Sequence, residues 1–213
     1  MKHDTITATA PAPGDGRNSA VPGPPARLVL LLQDLKFGGT QRQTLELARR
    51  LDPARFKVEI WVMTAGEDLM PLAREWSIPV VRLARQALVG PLALTNLWRR
   101  LQRQPPDLLM LLTVVPNIWG RILGRLARVP VIVGNCRGGG APWRQHERLL
   151  WPLMDHLLCN TAALKAELTQ RYRIPSSKIT VILNGVDTDY YSPGPAGPRP
   201  NPPVILSVAR LVP

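Results

Sequence analysis

Two stretches of this sequence gather small and charged residues in patterns that could hold a ligand. The first is FGGTQRQTLELARRL, Phe37 to Leu51, where Gly38 and Gly39 stand between the apolar run Leu28 to Leu32 and a helical pattern. Thr40 and Gln43 have the spacing of a capping box, which predicts a helix beginning at Thr40. Glycines just ahead of a helix leave its free N–H groups open, and the positive helix end favours an anion such as a phosphate or diphosphate. A tight turn with positive φ would demand the same glycines, so both readings stand. The spacing is not GxGxxG and no acidic residue closes the second apolar run, WVMTAG, which disfavours a nicotinamide dinucleotide.

The second stretch is VIVGNCRGGG, a strand pattern that runs into Arg137, Gly138, Gly139 and Gly140. A planar guanidinium at that place could pair a phosphate, a carboxylate or a sugar hydroxyl; glycine filler in a flexible loop is the competing reading. Other chemistries find no support. His3, His146 and His156 have no metal or triad spacing, and the sequence contains no GxSxG elbow, Walker loop or HExxH pair. No carboxylate cluster is available for a metal, so none is expected. Cys136 and Cys159 lack CxxC spacing, which suits two reduced thiols in the cytoplasm better than a disulfide.

The elements that must position these residues follow from the apolar pattern. Residues 1–26 are rich in Pro, Ala, Gly and Thr and read as a disordered leader. Residues 27–187 alternate strand-like and helical segments. The strands are expected at Leu28 to Leu32, Val58 to Met63, Val80 to Leu83, Leu108 to Leu112, Val131 to Val133, Leu157 to Cys159 and Ile179 to Leu183. That alternation predicts an α/β fold, a doubly wound and mainly parallel sheet of Rossmann-like type, and unbroken runs such as LVLLL indicate strands covered on both faces. In the helix expected at Ile118 to Arg128, Ile118, Ile122, Leu123 and Leu126 are assigned to the core. Arg121, Arg125 and Arg128 are assigned to a solvated basic face. Residues 188–203 form a proline-rich linker, and 204–213, VILSVARLVP, open a further strand.

With 213 residues, 45% of them hydrophobic, the chain suits one domain with appendages, and no apolar run approaches a membrane span. The formal charge is +12. Its arginine excess fits either a GC-rich coding sequence or an anionic partner such as acidic lipid headgroups. Nucleic acid is not expected, because no basic patch carries interleaved aromatics or a groove-reading motif.

The order of these motifs resembles the N-terminal half of family 4 glycosyltransferases. The Gly-Gly loop is followed by NIWGRILGRLARVPVIVGNCR, HLLCNTAALKAEL, RIPSSKITVILNGVDTDYYSP and ILSVARLVP, so the likeness spans Leu28 to Pro213. It implies the GT-B architecture of two Rossmann-like domains facing across a cleft. The chain would be the acceptor-side domain of a retaining enzyme that uses a nucleotide diphosphate sugar as donor substrate and no cofactor. Gly38, Gly39 and Arg210 would approach the donor phosphates, and Thr40, Asn117, Arg137 and Asn184 would contact substrates. Many members carry a histidine where Cys136 and Arg137 stand here, so no catalytic side chain is assigned. The family's lysine and paired glutamates would lie beyond Pro213. The implied acceptor is a glycan or a lipid-linked sugar, met in the cytoplasm or at the inner face of an anionic membrane. An inactive, stand-alone acceptor-binding chain is the alternative.

Overall fold

The computed structural model describes residues 23–138 and 145–192. Arg210, the 204–213 strand, His3, Gly139 and Gly140 lie outside the described residues. Seven parallel strands form one sheet in the order β3-β2-β1-β4-β5-β6-β7. They are β1 (Ala26–Leu32), β2 (Phe56–Val62), β3 (Val80–Arg82), β4 (Leu108–Leu111), β5 (Val131–Cys136), β6 (His156–Cys159) and β7 (Ile179–Val181). The helices between them are α1 (Gly39–Arg50), α2 (Met70–Glu75), α3 (Pro91–Arg103), α4 (Val114–Leu126), α5 (Gln145–Leu150) and α6 (Ala162–Tyr172). The doubly wound reading holds, and the strand order reverses direction between β1 and β4, where such sheets bind ligands.

Alternation along β1 builds two cores from one apolar run. Leu28, Leu30 and Leu32 face Leu45 of α1 and Ala73 of α2, whereas Val29 and Leu31 share a cluster with Leu97 and Leu101 of α3. Each of these β1 residues is buried, which is why LVLLL has no polar alternation.

Two local expectations are overturned. Helix α1 starts at Gly39 with Gly38 as its N-cap, and the cap carries no side-chain hydrogen bond. Thr40 lies inside the first turn, and Gln43 does not reach back to close a box; its Nε2 donates to the carbonyl of Gly185 at 2.8 Å. A long-range partner has displaced the local one. Helix α4 begins at Val114, and two of its assigned positions are reversed, whereas Leu123 packs on the core and Arg128 is exposed as expected. Arg121 is fully buried together with Asn117, Gly120 and Gly124, while Leu126 is 63% exposed. The reason is distance. A Cβ on Gly120 would collide with Leu111 Cδ2, and one on Gly124 would lie 2.9 Å from Ile132 Cδ1. The glycine strip lets α4 settle directly on β4 and β5, so bulky aliphatics move to its flanks.

Candidate functional site

Loops at the carboxyl ends of β1, β4 and β5 converge on a cleft of about 280 Å³. Helix α1 contributes Thr40, the β4 end contributes Thr113, and α4 contributes Asn117. The β5 end supplies Asn135, Cys136, Arg137 and Gly138, while α5 supplies His146 and Glu147. Thr113 Oγ1 accepts from the Gln33 N–H at 3.0 Å and so ties the loops on either side of the switch point.

The glycines of the first loop do not make a left-handed turn. Gly38 is extended at φ −175°, and Gly39 is absent from the positive-φ residues. A Cβ on Gly39 would meet nothing within 4 Å. The space beside Gly39 is thus open, whereas a Cβ on Gly38 would collide with the Gln41 side chain; a helix N-terminus in general favours an anion. In the second loop Gly138, at φ +42°, does use the left-handed region.

Arg137 is half-buried in the cleft wall. Its Nε donates to Asn135 Oδ1 at 3.1 Å and its Nη1 to Asn184 Oδ1 at 3.3 Å. Burial pushes the guanidinium down from its ordinary value, though arginine keeps its charge at neutral pH. Asn184 is held there because the segment after β7 is fastened to α1. Gln43 grips the Gly185 carbonyl, and Asp187 Oδ2 lies 3.1 Å from Arg50 Nη2 and 3.6 Å from Arg49 Nη2. Backbone N–H donation from Tyr190 leads in holding the Asp187 carboxyl below its usual range, helped by the Arg50 and Arg49 charges.

Thr40, Asn117 and Arg137 thus line one cleft, and Asn184 joins it through Arg137. The Asn117 amide is committed to the frame: Nδ2 donates to the carbonyls of Thr113 at 3.0 Å and Asn135 at 3.1 Å. Three participants have no legible sequence signal. Arg121 sits on α4 among residues assigned to solvent, and Glu147 and His146 sit on a short helix with no motif. In the fold, Arg121 Nη1 and Nη2 donate to Glu147 Oε2 and Oε1 at 2.8 and 2.9 Å. Burial pushes the Glu147 carboxyl up, but the adjoining His146 and Arg121 outweigh it, and the net direction is below the ordinary glutamate value. His146 Nε2 lies 3.3 Å from Glu147 Oε1. Among the described residues, no group of three or more His, Cys, Asp or Glu is placed to hold a metal ion.

The sequence matches the model of Glycosyltransferase Family 4 over residues 37–190, most of the chain. The chain belongs to glycosyltransferase family 4. No curated protein matches it. Among solved structures, this family 4 domain is similar to Anabaena Alr3699/HepE in complex with UDP and glucose, at 18% identity and a TM-score of 0.65, covering 80% of this chain and 47% of that one. It is similar to a glycosyltransferase from Rickettsia africae ESF-5 at 16% identity and a TM-score of 0.62, covering 82% and 47%. A UDP-GlcNAc 2-epimerase from Neisseria meningitidis, bound to UDP-GlcNAc, shares 16% identity with a TM-score of 0.53, covering 74% and 46%. Such likeness establishes a Rossmann-like domain of the GT-B type, and the epimerase shows that the fold by itself does not name a reaction. The chain spans about half the length of each of these structures.

Proposed function

We propose that this chain supplies the acceptor-side domain of a retaining glycosyltransferase that moves a sugar, of hexosyl type, from a nucleotide diphosphate donor to a hydroxyl. The observation that supports it best is the meeting of the α1 N-terminus, Arg137 and Asn184 at the switch point of a family 4 domain. In retaining transfer the transition state resembles an oxocarbenium ion and the departing diphosphate gathers negative charge. Fixed donors and a cation aimed at that charge lower the barrier without a general base. The α1 N-terminus behind Gly38 and Gly39 suits the diphosphate, Arg210 is proposed as a further phosphate partner, and Thr40, Asn117, Arg137 and Asn184 suit the acceptor side.

Most donor contacts are assigned to a second domain, since the similar structures are about twice as long. Half a cleft can hold an acceptor but cannot orient an anomeric carbon against it. The acceptor is proposed to be a glycan or a lipid-linked sugar, reached in the cytoplasm or at an anionic membrane surface. Among the described residues, no helix is long and apolar enough to cross a membrane.

The test is to titrate the labelled chain with nucleotide sugars and with glycan and lipid-linked acceptors, following amide shifts and nucleotide release. Acceptor-dependent shifts should cluster at Thr40, Asn117, Arg137 and Asn184, without nucleotide release above background. Shifts located elsewhere would remove the acceptor assignment. Turnover would overturn the assignment of donor contacts to another domain. Stronger sedimentation with anionic than with neutral vesicles, weakened by salt, is the expected sign of membrane contact; equal sedimentation at low salt would end that part of the reading.

A further inference from the structure

Hydrogen bonds, joined through the covalent frame of Asn135, link the interior to the cleft guanidinium. Glu147, 2% exposed, accepts both end nitrogens of Arg121, which is fully buried. Arg121 Nη2 also donates to Asn117 Oδ1 at 2.9 Å. With its oxygen so engaged, the Asn117 amide must turn its Nδ2 toward the carbonyls of Thr113 and Asn135. Asn135, paired with Leu158 in the sheet, takes that bond at its backbone carbonyl, and its side-chain Oδ1 accepts from Arg137 Nε. Strand β5 is itself shaped around Arg121. A Cβ on Gly134 would come within 2.9 Å of Arg121 Nη2, so a larger residue would compete with the buried guanidinium for space.

A buried ion pair is a poor source of net stability, since well-packed apolar residues commonly serve as well. This pair nonetheless carries the bond that orients Asn117. We propose that Arg121 and Glu147, acting through Asn117 and Asn135, are positioning residues for Arg137. They set the plane in which its guanidinium meets a phosphate or sugar hydroxyl. A guanidinium held at Nε and Nη1 presents a fixed edge, whereas a free one would have to be ordered by each ligand in turn. The identity of that ligand rests on the proposed function, but the coupling of Arg137 to Glu147 does not.

The coupling is tested on the full chain labelled with 15N, by observing the arginine Nε–H resonances and assigning that of Arg137 by its loss in Arg137→Lys. In Glu147→Gln, hydrogen exchange at Arg137 Nε–H should quicken about five- to tenfold, the factor expected for losing roughly one hydrogen bond. Because that variant leaves Arg121 buried without its counter-charge and could unfold, the Arg121→Met, Glu147→Leu double variant is measured beside it. It refills the space with apolar groups and still removes the donor to Asn117 Oδ1. A cooperative melt with quickened exchange at Arg137 supports positioning, and so does partial recovery of protection in Glu147→Asp. A folded double variant whose Arg137 resonance keeps its position and its exchange rate overturns it. Inorganic pyrophosphate, added to the unmodified chain, reports separately on the ligand. No shift at Arg137 would count against the phosphate reading and leave the coupling to be judged by exchange alone.

Discussion

Helices α1 and α4 leave the same edge of the sheet on either side of its switch point, and their glycines stand in opposite surroundings. At the start of α1, a Cβ on Gly39 would meet nothing within 4 Å. Along α4, a Cβ on Gly120 would collide with Leu111, and one on Gly124 would press on Ile132 and Leu109. One helix has open space at its glycine, and the other uses its glycines to make room for the chain's own sheet. The polar residues divide less cleanly, since Asn117 of α4 also lines the cleft. Thr40 of α1 lines the cleft, whereas Arg121 of α4 is enclosed with Glu147. The difference teaches that a glycine at a helix accompanies open space in one place and close approach in another, and its type alone does not say which.

The sharpest way to break this comparison is to disturb the α4 side. Glu147→Gln should cost about 3 to 5 kcal/mol at neutral pH, because it leaves a buried guanidinium without its counter-charge. The cost should depend on pH in a stated direction. The folded Glu147 carboxyl lies below its ordinary 4.5, so its stabilisation is present above that value and is lost as pH falls through the lower folded one. Denaturant melts of the two proteins should therefore converge toward acid. Parallel curves from neutral to strongly acid pH would mean that the carboxylate is not what holds Arg121.

A smaller effect is expected from Gly120→Leu, which forces a side chain between α4 and β4. Overpacking of this kind costs about 1 to 3 kcal/mol, a fall in Tm of roughly 2 to 4 °C for each kcal/mol in a domain of this size. An unchanged melting temperature would mean that α4 sits further from the sheet and that its glycines are interchangeable with those of α1. The smallest effect on stability belongs to Gly39→Ala. Nothing nearby obstructs the methyl group, and alanine is the better helix former by about 1 kcal/mol or less. Stability should hold or rise slightly, while binding of a nucleoside diphosphate at the α1 N-terminus weakens, as isothermal titration would register. Loss of stability without loss of binding would return Gly39 to a purely structural part.

Much of this was legible without coordinates. Seven apolar runs became seven strands, and the unbroken LVLLL foretold a strand buried on both faces. The order of motifs pointed to the family that residues 37–190 match. Boundaries were less secure where local cues conflict. Val114, Val115 and Pro116 resemble the end of a strand, yet they form the first turn of α4, where a missing N–H at Pro116 does little harm. In the candidate site, Thr40 and Arg137 were visible beside glycine loops and Asn117 and Asn184 through the family resemblance, but their convergence was not. Asn184 reaches Arg137 across 47 residues of chain.

The sequence by itself determined what depends on period and run length: a parallel α/β sheet, the helices between its strands, and two glycine loops at strand ends. Tertiary structure alone decided which side of α4 is buried and where Gln43 spends its amide. A helical repeat shows that a helix has two faces, but which one settles on the sheet depends on how closely the two can approach and on whether a buried charge finds its opposite. For Arg121 that opposite is Glu147, 26 residues away on another helix. For Gln43 the partner is a carbonyl 142 residues distant, which prevails over the capping box encoded three residues from Thr40. Neither partner lies within reach of a local pattern, because both contacts exist only once the sheet has brought its carboxyl-edge loops together.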